Sequence, residues 1–156
     1  MARIQSEYAK GRLPTRISQG SDLVPLHYEC AVPASGDGTA SGDIIEMGVL
    51  PAGHVPVDVI YSATDLDSGT PGHAVSFGVL NAAKDDISTD AADGGAVWAS
   101  GLTIGQAGTL ARQSTAAIHA VVPSAANRSL GYKVTTVSGT KAAGTIRVTV
   151  LARATP

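Results

Sequence analysis

The sequence predicts an all-β domain, an eight-stranded jelly-roll-like β-sandwich with an extended N-terminal arm. Apolar and polar residues alternate with a period of two in many short segments, and turns rich in Gly, Pro, Asp and Ser separate these segments. No amphipathic helical stretch is longer than a turn or two. Because 156 residues suit one domain, we divide the chain into an arm over residues 1–22 and a sandwich over residues 23–156.

The elements follow from this pattern in chain order. Residues 1–22 show no sustained period and contain Gly11, Pro14 and Gly20, which predicts an extended arm. Residues 65–72 and 81–95 are predicted to be loops, whereas residues 105–114 fit either a loop or one helical turn. Strands are predicted at residues 26–32, 45–49, 57–63, 75–79, 97–102, 117–122, 130–137 and 146–152.

Charge is segregated along the chain although its net value is only −2. Eleven acids and one base, Lys84, lie between Glu29 and Asp93, and the chain after Gly94 has six bases and no acid. The bases are spread singly along strands, which is not typical of a nucleic-acid-binding surface. We expect the two halves to face each other within one fold or between subunits. In a jelly roll the first and last strands are neighbours, which would place Glu29 near Arg147 or Arg153.

No segment shows the spacing of a catalytic or transition-metal site. The histidines at positions 27, 54, 73 and 119 lack ligand spacing such as His-x-His, and no nucleophile elbow, P-loop or dinucleotide-binding glycine motif is present. Cys30 alternates with apolar residues and has no adjacent base, which favours a buried inert thiol. We therefore predict that the protein is not an enzyme and has no catalytic residue, no metal and no cofactor.

Two acidic loops are the remaining candidates for ligand binding. The run Asp65-x-Asp67-x-Gly69 begins like a calcium loop, but Val75 stands where a bidentate Glu is required. Asp85, Asp86, Asp90 and Asp93 form a second acidic stretch. Solvated loop carboxylates are the favoured interpretation, and weak calcium binding stays open. No apolar run approaches the roughly 20 residues of a membrane helix, so no membrane partner is expected.

The N-terminal arm is the best candidate for a partner contact. It is polar and basic, and arginine and tyrosine are residue types that make strong interface contacts. The alternative is a disordered terminus without a partner. The predicted contacts with a capsid or subunit partner are Arg3, Tyr8, Lys10, Arg12 and Arg16.

Several blocks of the sequence resemble small head proteins of tailed phages. The longest, Gly42–Asp58, reads GDIIEMGVLPAGHVPVD. Because none is a catalytic motif, the resemblance depends on the order of the blocks. The others are Asp65–Pro71, Val75–Leu80, Gly105–Gly108 and Gly144–Val150.

This resemblance implies a capsid decoration, or cement, protein with a jelly-roll-like sandwich. Members of that family are typically trimers on the outside of the phage head, so it implies the major capsid protein and further copies of this chain as partners. It also implies a place on the outer surface of the virion capsid, after synthesis in the host cytoplasm. Two rivals stay open: a receptor- or glycan-binding sandwich of a phage fibre or tail, disfavoured by the few aromatic residues, and a metal-dependent jelly-roll enzyme.

Overall fold

A computed structural model of the chain describes residues 1–14 and 23–155. Within these ranges the protein is built almost entirely of strands, with one 3₁₀ turn at Ala91–Asp93 and one short helix, α1, at Ala116–His119. The strands are β1 Arg3–Gln5, β2 Leu23–Val32, β3 Ile44–Leu50, β4 His54–Ala63, β5 Ala74–Val79, β6 Ala99–Leu102, β7 Leu110–Gln113, β8 Arg128–Thr136 and β9 Gly144–Ala154.

Strands β2 to β9 pair in the order of a jelly roll, which confirms the predicted fold class. One sheet has the order β2-β9-β4-β7 and the other contains β3-β8-β5-β6, so successive strands alternate between the sheets from β2 to β5. The inward residues of both sheets form one core, in which Tyr61, Phe77 and Tyr132 pack edge-on or tilted at centroid distances of 4.7 to 6.3 Å.

The first strand, β1, adds a fifth member to the second sheet. It lies parallel to β3, with Arg3 opposite Ile44 and Gln5 opposite Glu46. The start of the predicted arm is therefore a strand docked on the sandwich. Residues 15–22 of that arm lie outside the described residues.

One predicted strand is wrong. Residues 117–119 of that segment, 117–122, lie in α1, where Ala120 N–H donates to Ala116 O at 2.9 Å and Ile118 is fully buried. In this segment most residues at both the odd and the even positions are aliphatic, so an alternation of apolar and polar residues could not identify a strand. Alanine, which is frequent here, favours the helix. The eighth jelly-roll strand is instead β7, in the segment that fitted either a loop or a helical turn. It is held by pairing with β4.

The acidic and basic parts of the chain meet within the fold, as expected. In the antiparallel pair of β2 and β9, Glu29 lies opposite Arg147, with Arg147 Nε 3.4 Å from Glu29 Oε2. The predicted neighbourhood of first and last jelly-roll strands is confirmed. Such a half-exposed cross-strand pair contributes about 0.2–1 kcal/mol.

The two sheets differ in what covers their outer faces. The connection between β5 and β6 folds over the β3-β8-β5 face, where Leu80 and Ile87 pack on Ile44 to form a small second core. On the other sheet, β2 alternates between buried and exposed residues, and its Pro25, His27 and Glu29 are exposed. The β2-β9-β4 face is therefore the more open side among the described residues.

The two sheets come into close contact at Gly48 of β3, which packs against Tyr28 of β2. A Cβ added there would lie 2.6 Å from the ring of Tyr28, whose hydroxyl donates to Val49 O at 2.6 Å. Tyr28 is 1% exposed, so its ring has no free space to move into.

We expect Gly48→Ala to lower the free energy of unfolding by about 1–3 kcal/mol, because it overpacks the core. The matched control is Gly139→Ala, where an added Cβ meets nothing within 4 Å and the effect should stay within about 0.5 kcal/mol. Urea unfolding of both variants measures the difference. Equal stabilities would contradict the close packing at Gly48.

Candidate functional site

The first predicted contact residue of the arm, Arg3, lies at one edge of the sandwich, where a buried carboxylate anchors it. Glu46, in β3, is 1% exposed. Its Oε2 accepts from Gln5 Nε2 at 2.8 Å and lies 3.8 Å from Arg3 Nη1, and its Oε1 lies 2.6 Å from Lys84 Nζ. Glu46 thus joins β1 and the β5–β6 connection to β3, and the three partners supply the bonds that a buried carboxylate requires.

Sequence reasoning missed Glu46, although its pattern carried a signal. In Ile44–Met47 an acid stands within an otherwise apolar run, and alternation places Glu46 on the face opposite Ile45 and Met47. An acid at a strand centre, on a sheet face that is covered, needs a cation. The cations are Arg3 and Lys84, and because both are distant from Glu46 in the sequence, no local pattern identifies them as its partners.

The turn after β1 continues the attachment through Ser6 and Tyr8. Ser6 is buried, its hydroxyl donates to Met47 O, and its Oγ accepts from Ala9 N–H at 3.0 Å. The ring of Tyr8 packs edge-on against Tyr28 at a centroid distance of 5.1 Å. Tyr8 is therefore partly used in holding the arm to the core.

Lys10 and Arg12 both bind the same carboxylate. Lys10 Nζ lies 2.9 Å and Arg12 Nη1 3.1 Å from Glu7, and their hydrogen bonds hold the pKa of the Glu7 carboxyl below its usual value. The side chain of Arg12 is 70% exposed, against 40% for Arg3 and 38% for Lys10. Arg12 thus offers the most accessible charge of these three residues. Arg16 lies outside the described residues.

The first acidic loop, residues 65–72, is held in place by hydrogen bonds to the side chain of Asp67. Asp67 is 2% exposed, and its carboxylate accepts from Gly72 N–H, His73 N–H and the Ser138 hydroxyl. These hydrogen bonds, led by that of Ser138, lower the pKa of Asp67 to about 2. The oxygens of Asp67 accept hydrogen bonds from the protein itself. The prediction of a solvated carboxylate is therefore wrong for Asp67.

The second acidic loop is likewise occupied by internal partners. Asp86 lies 2.7 Å from Lys133, Asp93 lies 3.2 Å from Arg128, and Asp90 caps the 3₁₀ turn through Ala92 N–H. Over residues 1–14 and 23–155, no group of three or more His, Cys, Asp or Glu side chains is placed to hold a metal ion. In the same part of the chain, no helix has the length and apolarity to cross a membrane.

The cysteine and the histidines occupy separate positions. Cys30 is buried, and desolvation raises the pKa of its thiol to about 11, which fits the predicted inert thiol. His27 bonds Thr149 and His119 bonds Ser114 on the surface. His73 is 7% exposed, its Nδ1 has no hydrogen-bond partner, and burial lowers the pKa of its imidazole, which nearby Asp67 partly opposes.

Stability is expected to fall as the pH drops below about 6.5. The folded state keeps His73 neutral at a pH where the unfolded chain takes up a proton, so the unfolded state is favoured by acid. The stabilisation from Asp67 is lost in a separate window, as the pH falls from about 4 towards 2. Urea unfolding of His73→Gln between pH 7 and pH 5 should show a smaller loss than the wild type. His27→Gln, on the exposed sheet face, is the control. If the free energy of unfolding falls equally as the pH drops in both variants, His73 is not the group responsible for the loss.

Glu46→Gln is expected to loosen the arm, because glutamine keeps the shape but cannot pair with Arg3 or Lys84. Amide hydrogen exchange at residues 2–6 should accelerate, and the free energy of unfolding should fall by about 1–3 kcal/mol. Glu29→Gln, which breaks an exposed ion pair on the other sheet, is the control, and its cost should stay under about 1 kcal/mol without a change in exchange at residues 2–6. Identical exchange in the two variants would show that Glu46 does not anchor β1.

No protein-family model matches the chain, and no curated protein matches it. Chains in solved phage capsids do match. One in the capsid of Ralstonia phage GP4 is 27% identical, with a TM-score of 0.79 and 99% of each chain covered. One in the asymmetric unit of the cyanophage Pam1 capsid is 21% identical, with a TM-score of 0.62 and 92% of each chain covered, which shows a shared fold. The jelly-roll sandwich of this chain is thus shared along nearly its whole length with chains of phage capsids, and this likeness supports a phage capsid-related protein with a structural role in the virion.

Proposed function

We propose that this chain is a capsid decoration, or cement, protein, which binds the outside of a phage head and stabilises the contacts between capsomers. The observation that carries the proposal is the match along 99% of the chain to a chain of the Ralstonia phage GP4 capsid. The blocks that resemble phage head proteins, Gly42–Asp58 among them, point the same way. Its partners are then the major capsid protein and other copies of this chain, assembled as a homotrimer.

A decoration protein stabilises a shell by binding the assembled lattice and not its separated subunits. Such selective binding shifts the equilibrium towards the lattice by mass action. An oligomer that contacts several capsomers gains further through effective concentration, so that modest individual contacts add to a tight attachment. This role needs a rigid scaffold and contact surfaces, with no catalytic residue.

Within this proposal the arm contacts are Arg3, Tyr8, Lys10, Arg12 and Arg16. The structure supports a division of labour among the described ones. Arg3 and Tyr8 fix the arm to the sandwich through Glu46 and Tyr28. Arg12, with its 70% exposed side chain, presents a guanidinium that can bind a carboxylate on a partner.

The position of the aromatic residues does not favour the glycan-binding rival. Glycan sites typically use exposed aromatic surfaces, whereas Trp98, Phe77 and three of the four tyrosines are at most 1% exposed here. The remaining one, Tyr8, packs against Tyr28. No observation favours this rival over attachment to the capsid.

The proposal predicts that heads assembled without this protein release their DNA at a lower temperature, and that the purified protein restores the higher one. Dye fluorescence during heating measures DNA release, and gel densitometry of washed heads measures bound protein. An unchanged release temperature despite bound protein, or no binding at all, would contradict the proposal.

The role of the arm is tested in the same assay with a charge reversal. Deleting the arm would also remove β1, Ser6 and Tyr8 from the fold, so Arg12→Glu is the cleaner change. It should reduce occupancy of the heads. Arg112→Glu is the control and should keep wild-type occupancy. Arg112 is likewise exposed, at 67%, and paired with an acid, but it lies on β7, the last strand of the other sheet.

A further inference from the structure

A second surface, away from residues 1–14, has the character of a binding groove. It is a cavity of about 480 Å³ at the place where β2 and β4 begin and β9 ends, closed on one side by the segment that follows α1. Leu23 and Val122, which line it, are 52% and 48% exposed. Large aliphatic side chains exposed together around one concavity are typical of interaction sites.

The segment that forms one wall of the groove is held firmly. Val122 N–H donates to Ala92 O at 3.1 Å, and Val122 O accepts from Arg128 Nη2 at 2.8 Å. Arg128 is itself paired with Asp93 at 3.2 Å. The wall is therefore formed before any partner binds, which limits the ordering cost of association.

The apolar character of the groove continues onto the open sheet face. Leu23 lies opposite Arg153 in the β2–β9 pair, and two residues further along Pro25 lies opposite Leu151. Side chains two apart on a strand point to the same face. Leu23, Pro25 and Leu151 thus form one outward strip.

The charge at the groove is unbalanced. Arg153 lines it, and among the described arginines it is the one without an ion pair. Among the described residues that line the groove there is no acid, and the other titratable side chain is His119. An unpaired guanidinium beside aliphatic side chains is complementary to a carboxylate carried on an apolar segment.

We infer that this groove binds an extended segment of another head protein, one that carries aliphatic side chains and a carboxylate. The aliphatic side chains fill the space between Leu23 and Val122, and the carboxylate pairs with Arg153. That the partner belongs to the head rests on the proposed function. The groove is a contact separate from residues 1–14 of the arm, so the chain holds the lattice at two places.

The test uses purified heads that lack this protein as the binding probe. Arg153→Glu should weaken binding at least about ten-fold, and Arg153→Lys should stay within about three-fold of the wild type. Leu23→Ser should also weaken binding, whereas Leu110→Ser, at a residue that is 67% exposed on the same sheet, is the matched control and should not. Thermal unfolding of each variant checks that the fold is kept.

A photo-crosslinker at position 23 identifies the occupant by mass spectrometry of the assembled heads. The inference expects an adduct on an Asp- or Glu-containing apolar peptide of another head protein. Adducts only on copies of this chain, or on its own residues 15–22, would overturn it, and so would an Arg153→Glu variant that binds like the wild type. A wild-type chain that does not bind heads overturns the proposed function, and with it this inference, so the two failures are distinct.

Discussion

The pairing of β9 with β2 on one side and β4 on the other is the constraint on which the rest of the structure depends. It joins the end of the chain to residues more than 80 positions earlier, along ten residue pairs with β2 alone. Ile146, Val148 and Val150 turn inward and are at most 1% exposed. Because β9 is central in its sheet, it closes the core, and its outward residues set the character of the open face.

The two ends of the chain are attached in different ways, and each attachment creates a surface. At the N-terminus, Glu46 binds Arg3 and Gln5 and holds β1 parallel to β3 at the edge of one sheet. At the C-terminus, the end of β9 places Arg153 opposite Leu23, the first residue of β2, where both line the groove. The described charges of the first surface are paired within the chain, whereas Arg153 at the second has no ion pair. The groove therefore has a charge that the described part of the chain does not neutralise.

The sequence predicted the sheets better than it predicted their edges. Strands in which apolar and polar residues clearly alternate, such as β2 and β9, lie where expected, because such an alternation fits a half-buried strand and does not fit a helix. The four-residue strand β7 lacks β-branched residues and forms through its pairing with β4, and the apolar run after Thr115 fits a strand and a helix equally well. The sequence predicted the candidate site as a set of arm residues, which stays a prediction, whereas Glu46 and the groove depend on tertiary contacts that no spacing reveals.

The segregation of charge along the chain is explained by how folding brings its acidic and basic parts together. Four of the six bases after Gly94 pair with acids of the acidic middle of the chain: Arg112 with Asp58, Arg128 with Asp93, Lys133 with Asp86 and Arg147 with Glu29. Each pair crosses between segments that are distant in sequence, so opposite charge supports the topology at several points, at modest energy for those exposed to solvent. Folding thereby cancels most of the asymmetry. It leaves two of the described bases without an acidic partner: Lys141, which lies 3.3 Å from the Thr39 hydroxyl, and Arg153, which stands at an end of the open face where aliphatic side chains are also exposed.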